Sequence, residues 1–221
     1  MDVISLYPNI DQQEGADACE EHLNQRQKQS ISSSVLKRII LLILRCNTMM
    51  FNNRFFHQIK GTAMGTPMAV NFSNCFMSSF EKKMLQCYEQ IYGLKPALWL
   101  RYIDDIFIVW VGDTVSFKHF MTFCDNYAQQ NNYASNIRFT ASPPSKSVNF
   151  LDTTVTLNND GSLASTLYSK PTAAHQYLHR SSYHVGHTLR SLPKSQFMRI
   201  RRICSSLVDY THHATIFVEF L

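Results

Sequence analysis

Two adjacent carboxylates interrupt an apolar ribbon near the middle of the chain. The ribbon LWLRYIDDIFIVWV covers residues 98–111, and Asp104 and Asp105 stand at its centre. Neighbouring carboxylates repel each other and lose hydration among apolar side chains, so they need either an exposed turn between two strands or a divalent cation. The residue types alone leave both interpretations open.

A third carboxylate, Asp2, opens the strand-like segment DVISLY at residues 2–7. If this strand lies beside the predicted hairpin, Asp2 joins Asp104 and Asp105 around a shared site. Three carboxylates suit two Mg²⁺ ions, because Mg²⁺ prefers oxygen ligands and keeps waters and substrate phosphates. Two such ions about 3.5–4 Å apart would activate a hydroxyl nucleophile and stabilise a pyrophosphate leaving group.

The elements that must position these carboxylates follow from apolar spacing and from turn residues. Helices are predicted over residues 32–50, 68–92 and 114–130 and over most of the chain after 170, with breaks near Gly186 and Pro193. Strands are predicted over residues 2–7, on both sides of Asn52-Asn53, in two runs within 98–111, and over 137–142, 148–158 and 162–169. This order predicts an α+β fold in which helices pack against an antiparallel sheet.

Positive charge is concentrated toward the C-terminal end. Residues 1–169 carry 14 basic and 14 acidic side chains, whereas residues 170–202 carry seven basic ones and no acid. The seven are Lys170, Arg180, Arg190, Lys194, Arg199, Arg201 and Arg202. Such a stretch fits either a polyanion whose phosphates it neutralises or a solvated helix face. Four histidines in the same stretch could bind a metal, but no Cys-x-x-Cys or His-Glu-x-x-His pattern accompanies them. They are His175, His179, His184 and His187.

Composition excludes several classes of protein. With 45% hydrophobic and 17% charged residues, the chain of 221 residues is globular rather than disordered or collagen-like. The apolar runs are short compared with the roughly 18 or more residues of a membrane span, so no membrane partner is expected. The N-terminal residues contain no secretory or other targeting signal, and the scattered cysteines indicate reduced, intracellular thiols.

Several blocks of the sequence resemble the motifs of reverse transcriptases. DVISLY, at residues 2–7, resembles the first palm motif, in which an aromatic residue follows the metal-binding Asp by five positions. GTAMGTPMA, at residues 61–69, resembles the glycine-rich second motif, and Tyr102-Ile-Asp-Asp105 resembles the Y-x-D-D box of the third. Together with FLDTTV, YSKPT and SQFMRIRRIC, these blocks are most similar to the reverse transcriptases of Penelope-like retroelements, over residues 2 to about 205.

The resemblance implies catalytic roles for the carboxylates. Asp2 and Asp104 would hold two Mg²⁺ ions, for which Mn²⁺ could substitute, and Asp105 would be the third carboxylate. Tyr7 would lie beneath the incoming sugar and select deoxynucleotides, with ordinary packing in a strand as the alternative. The implied reaction is nucleotidyl transfer to a primer 3′-hydroxyl, with deoxynucleoside triphosphates as substrates.

The resemblance also implies a nucleotide pocket. Gly65, Thr66 and Pro67 would shape its floor, since glycine lets the backbone approach a ligand closely. A plain connector between a strand and a helix is the alternative, and it does not exclude this role. Tyr102 would lie beside the primer end or pack on the sheet. Lys146 is the candidate proton donor to pyrophosphate by its order in the chain, with a solvated loop lysine as the alternative.

Two domains are implied: a reverse transcriptase palm at residues 1–169 and a basic helical thumb or helix-turn-helix-like segment at residues 170–221. The second would grip the backbones of an RNA template and a DNA primer without reading bases, as copying of arbitrary sequence requires. Its candidate contacts are Lys170, Arg190, Lys194, Arg199, Arg201 and Arg202. The family acts in the nucleus, so a nuclear location is expected from the resemblance.

Two parts of the family's architecture have no counterpart in these 221 residues. They are the fingers that precede the first motif and the GIY-YIG nuclease that follows the polymerase in many members. The chain is therefore interpreted as a fragment or a decayed copy of an RNA-directed DNA polymerase with impaired activity. A non-catalytic nucleic-acid-binding remnant is the alternative, and a structural protein with a chance Asp-Asp turn is a third interpretation.

Overall fold

The computed structural model describes residues 1–172, 177–179 and 181–220. Two compact units make up the chain, Met1–Pro144 and Ser145–Leu221. The sequence-based division lies later, at residue 169, and therefore groups the last strands with the first unit. In the structure these strands bond to the C-terminal helices: the Ser165 hydroxyl, for example, donates to the carbonyl of Ile203.

The first unit contains a four-stranded sheet, a separate hairpin and five helices among its described residues. In chain order its elements are β1 (Asp2–Val3), α1 (Leu6–Asn9), α2 (Gln12–Leu23), α3 (Ser33–Arg45), β2 (Thr48–Phe51), β3 (Arg54–His57), α4 (Ala69–Tyr92), β4 (Leu98–Tyr102), β5 (Asp105–Val109), α5 (Thr114–Gln130) and β6 (Phe139–Thr140). The strand order in the larger sheet is β4-β5-β1-β6, and every pair is antiparallel. The predicted α+β class, with helices and antiparallel sheets, is confirmed.

The core of this unit forms where the predicted helix faces meet. Phe72, Phe76 and Phe80 follow one another at helical spacing on α4 and are all buried. Phe120 of α5 is also buried, and its ring stacks on Trp110. The limits of α4 and α5 agree with the sequence prediction, because Gly93 ends α4 in a left-handed conformation and the Asp113 side chain caps α5.

The N-terminal segment is less extended than predicted. Only Asp2 and Val3 form a strand, and the chain then turns through Ser5, which has φ +49°, into the short helix α1. The predicted strand over residues 2–7 is therefore wrong after Val3. Leu6 on α1 is buried, and so is Ile10 at the C-terminal cap of this helix.

Helix α2 was not predicted from the sequence. Asp11 caps it by accepting from the amides of Gln13 and Glu14, at 2.9 and 3.0 Å. The Glu14 carboxylate also accepts from the Ser135 amide and hydroxyl. An Asp followed three positions later by Glu is a capping pattern, and it was the available signal for this helix.

The second unit joins a three-stranded antiparallel sheet to two helices. Its elements are β7 (Ser147–Phe150), β8 (Thr153–Leu157), β9 (Leu163–Leu167), α6 (Gly186–Ile203) and α7 (Leu207–Glu219). The single strand predicted over 148–158 is two strands, because Leu151 turns the chain at φ +54°. A break in the helix was predicted near Pro193, but Pro193 lies inside α6, which continues through it. The hairpin predicted around Gly161 is confirmed.

Two further expectations concern membrane-spanning helices and the state of the cysteines. None of the helices in the described part of the chain combines the length and the apolar character needed to cross a membrane. All six cysteines have free thiols in the structure.

Candidate active site and nucleic-acid interface

The Asp2 strand lies in the four-stranded sheet beside the Asp-Asp hairpin. β1 pairs with β5 so that Asp2 stands directly opposite Asp105. The Val3 amide donates to the Asp104 carbonyl at 2.9 Å. Directly opposed residues of an antiparallel pair project to the same face, so Asp2 and Asp105 share a face. Asp104 is one residue away in the turn, and the three predicted acids are thus neighbours in the sheet.

The ionisation of Asp2 reflects this proximity. Partial burial raises the pKa of the Asp2 carboxyl, and the carboxylates of Asp104 and Asp105 raise it further. A hydrogen bond from the Val3 backbone and the nearby N-terminal ammonium lower this pKa in part. A divalent cation would relieve the repulsion between these like charges, and carboxylate oxygens are the donors that a hard cation prefers.

The side chains of Asp2, Asp104 and Asp105 do not converge as a set of metal ligands in the structure. Across residues 1–172, 177–179 and 181–220, no three His, Cys, Asp or Glu side chains are arranged to hold a metal ion. The three carboxylates are of the donor type that Mg²⁺ prefers, but the structure does not gather them into a metal-holding group. Of the four histidines considered as metal ligands, His175 lies outside the described residues.

The turn that carries Asp104 is strained. Tyr102 pairs with Asp105, which leaves Ile103 and Asp104 as the two residues of the turn. Ile103 has φ +57°, a left-handed conformation that a β-branched residue rarely adopts. Such strain costs on the order of 1–3 kcal/mol and persists only where surrounding contacts enforce it.

A buried network below the turn supplies those contacts. The Arg101 guanidinium donates to the Ile103 carbonyl at 2.9 Å, to Asn74 Oδ1 at 2.8 Å and to Glu81 Oε1 at 2.9 Å. Trp99 Nε1 donates to the same Glu81 oxygen at 3.1 Å. Glu81 is only 7% exposed, and burial raises the pKa of its carboxyl despite the opposing effect of Arg101. The network therefore fixes the strained turn to α4.

Sequence reasoning missed this network, although a signal was present. Glu81 lies at helical spacing between the buried residues Met77, Met84 and Tyr88, where an apolar residue is expected. An acid on a buried helix face needs a buried partner. Arg101, inside an apolar strand, was the candidate cation.

Tyr7 lies on α1 rather than on a strand, and its backbone meets the glycine-rich loop. The Thr62 amide donates to the Tyr7 carbonyl at 3.0 Å. Gly61 has φ +72°, and a Cβ there would lie 2.5 Å from both the Tyr7 carbonyl oxygen and Pro8 Cα. Only glycine permits this approach, so the loop of the second motif is held against the end of the first.

Gly61→Ala is expected to destabilise the protein by about 1–3 kcal/mol more than Gly65→Ala does. Gly65 has φ +87° but open space where its Cβ would lie, so it carries the cost of left-handed backbone without a clash. Urea unfolding followed by tryptophan fluorescence measures both variants. Equal destabilisation by the two substitutions would show that the close approach of Gly61 to Tyr7 contributes nothing.

The remaining candidates of the first unit are accessible. Gly65 and Pro67 are exposed in the loop, and the Thr66 hydroxyl donates to the Ala63 carbonyl at 3.1 Å. Tyr102 is 58% exposed, opposite Asp105. This exposure leaves its ring available for contact with a ligand and argues against packing on the sheet. Lys146 belongs to the second unit, where its ammonium donates to Asn159 Oδ1.

The basic residues of the second unit differ in what they contact. Arg190, Lys194 and Arg201 are exposed, and their spacing places them on one face of α6. Arg199 points elsewhere and pairs with Asp152 at 2.6 Å. Arg202, in the last turn of α6, and Lys170, in a loop, are exposed. Arg180 lies outside the described residues. The predicted set therefore divides into one basic helix face, one paired arginine and separate cations.

A short connection joins α6 to α7. α6 ends at Ile203 with Cys204 as its C-terminal cap, and the Ser206 hydroxyl caps α7 by accepting from the Asp209 amide at 3.0 Å. Ile200, Cys204 and Phe217 form a small buried cluster between the two helices. Two helices joined by a turn of three residues have the form of a helix-turn-helix unit.

Comparison with known protein families agrees with this form. Residues 176–217 match the model of the animal helix-turn-helix domain. A search of curated proteins gave no significant match for the chain.

Proposed function

We propose that the chain is the palm of an RNA-directed DNA polymerase of the Penelope-like type, joined to a nucleic-acid-binding helix-turn-helix segment. The observation that carries the proposal is the register of β1 against β5, which sets Asp2 opposite Asp105 and beside Asp104. Acids that far apart in the sequence have no structural need to meet, and their like charges oppose it. The polymerase motifs account for the meeting.

The residues of the first unit would divide the work of nucleotidyl transfer. Asp2 and Asp104 would hold two Mg²⁺ ions, with Asp105 as the third carboxylate, and bound ions would activate the primer 3′-hydroxyl and stabilise the leaving pyrophosphate. Arg101 would keep the Asp104 turn in place through its bond to the Ile103 carbonyl. Tyr7, half-buried on α1, would support the incoming sugar.

Primer extension tests the polymerase proposal directly. The chain is incubated with an RNA template, a DNA primer, deoxynucleotides and Mg²⁺ or Mn²⁺. Extension that requires the divalent ion supports the proposal. Absence of both extension and ion binding at the carboxylates would overturn it and leave a nucleic-acid-binding protein without catalysis.

This non-catalytic alternative is favoured by a separate observation, the helix-turn-helix match at residues 176–217. Helix-turn-helix units bind DNA through helix faces and phosphate contacts. The basic face of α6 supplies such contacts, and both candidate functions use it. A nucleic acid is therefore the partner that we propose for the second unit in either case.

The double variant Arg190→Gln, Lys194→Gln is expected to reduce the salt dependence of duplex binding. For each phosphate that the protein no longer neutralises, the slope of log K against log salt should fall by about 0.9 in magnitude. Fluorescence anisotropy at several salt concentrations measures the slope. Arg199→Gln is the control, because Asp152 already neutralises that arginine. An equal effect of the control would remove the assignment of the basic face.

A further inference from the structure

We infer a second nucleic-acid surface in the first unit: the β2–β3 hairpin, with the basic end of α3, fits a single-stranded nucleic acid. This surface uses none of the carboxylates and none of the helix-turn-helix residues. It deepens the proposed polymerase function and rests on it in one respect, since an unpaired template strand would be its occupant. Exposure, charge and strand register each support it.

The hairpin presents aromatic rings to solvent. Phe51 and Phe55 are 73% and 81% exposed, and Phe56 is exposed as well. β2 and β3 form a two-stranded sheet of their own, closed by Asn52 and Asn53 in left-handed conformations. A lone hairpin is marginally stable in water, so rings held on it without a core need another reason to be there.

The stretch of sequence that contains the hairpin carries charge of one sign. Residues 22–80 contain seven basic side chains and no acid. They are Arg26, Lys28, Lys37, Arg38, Arg45, Arg54 and Lys60. Lys37 is neutralised by Asp17 and Glu20, and Arg26 donates to backbone carbonyls. The other five are exposed, and none of them forms a salt bridge within the described part of the chain.

Strand register interleaves these rings and charges. Phe51 pairs with Arg54, and Met49 pairs with Phe56, so one face of the hairpin carries a cation between two rings. Arg45 ends α3 shortly before β2 begins. An open groove of about 540 Å³ runs along α3, where Arg38 and Arg45 lie among four apolar lining residues, Val35, Ile39, Leu41 and Leu42.

Exposed aromatic rings combined with unpaired cations favour single-stranded nucleic acid over a duplex. Unpaired bases expose their ring faces and stack on aromatic side chains, while phosphates take the cations. A duplex keeps its bases stacked inside and offers phosphates alone. A protein partner has no general need for a surface of one charge sign. The extended hairpin thus matches a strand that follows it with bases on Phe51 and Phe56, the two rings that share a face with Arg54.

Binding of labelled oligo(dT) of about 15 nucleotides, without metal or nucleotides, tests the surface. The double variant Phe51→Leu, Phe56→Leu keeps the apolar character but removes the two rings that share a face with Arg54, and it is expected to weaken binding at least about tenfold. Arg54→Gln should lower the salt slope by about 0.7 in magnitude. Ile59→Ala, at a site that is 84% exposed, is the matched control and should bind normally.

Ultraviolet crosslinking to oligo(dT), with peptide mapping, separates this surface from the helix-turn-helix segment. Crosslinks are expected within residues 48–57. Unchanged affinity of the leucine variant, or crosslinks confined to residues 177–220, would overturn the inference. The inference would also be overturned if the unsubstituted protein and the leucine variant bound phosphatidylserine vesicles equally and oligo(dT) did not compete. Self-association of the protein through the hairpin would overturn it as well. Primer extension is scored separately, so its failure contradicts only the polymerase proposal.

Discussion

Asp104→Asn is expected to lower Mg²⁺-dependent primer extension at least about a thousandfold. The substitution keeps the size of the side chain and removes the charge that would hold the ions. Asp2→Asn should act in the same way, because Asp2 lies beside Asp104 and opposite Asp105 across the strand pair. Steady-state extension of a primed RNA template measures the rate.

Ion binding gives a readout that does not depend on turnover. Mn²⁺ titration followed by electron paramagnetic resonance should show binding to the unsubstituted protein and weaker binding to either asparagine variant. Asp17→Asn is the matched control, since Asp17 is a surface acid on α2 paired with Lys37. Extension and Mn²⁺ binding that survive both Asp2→Asn and Asp104→Asn would contradict the two-metal assignment.

Local signals in the sequence predicted the elements around the candidate site well. The α4 and α5 helices follow from aromatic residues at helical spacing together with a capping Asp113 and a terminating Gly93. The β2–β3 turn follows from Asn52-Asn53, since asparagine tolerates left-handed backbone. Each of these signals lies within the element it defines, so no distant contact was needed to interpret it.

The failures lie where the backbone departs from what local signals favour. Leu151 in a left-handed turn and Pro193 inside α6 both violate local preference. The strand predicted over residues 2–7 ends at Val3, because Ser5 turns the chain into α1 at φ +49°. Leu6 and Ile10 are four positions apart, so their spacing fits one face of a strand as well as one face of a helix and could not distinguish the two.

In the candidate site, the placement of the acids was expected from the sequence, whereas the network that supports them was not. The resemblance to reverse transcriptase motifs implied that Asp2 would lie near Asp104 and Asp105, and the pairing of β1 with β5 places the three residues together. The support of the site was not predicted. Glu81 and Arg101 are separated in sequence, and each resembles an isolated charge until α4 and β4 are placed together. The periodic pattern of α4 marks Glu81 as a buried acid that needs a partner, but it does not show that Arg101 is that partner.

Arg101→Leu is expected to destabilise the first unit by about 3–5 kcal/mol, because it leaves the buried Glu81 carboxylate without its cation. It also removes the donor to the Ile103 carbonyl, so the turn that carries Asp104 loses its support. Urea unfolding measures the decrease in stability. The Glu81→Leu, Arg101→Leu double variant should recover much of that decrease, since two apolar groups replace a charged pair whose burial was costly.

The pH dependence of the Arg101→Leu variant separates an unpaired charge from a simple packing defect. Burial raises the pKa of Glu81 in the folded protein, so the folded state binds this proton more tightly than the unfolded state. The stability contributed by the protonated acid is present below the unfolded pKa and is lost as pH rises through the folded pKa. Without Arg101 that loss deepens, so the deficit relative to the unsubstituted protein should be larger at about pH 7.5 than at about pH 4.5. A deficit that is the same at both pH values would mean that the arginine stabilises by packing alone.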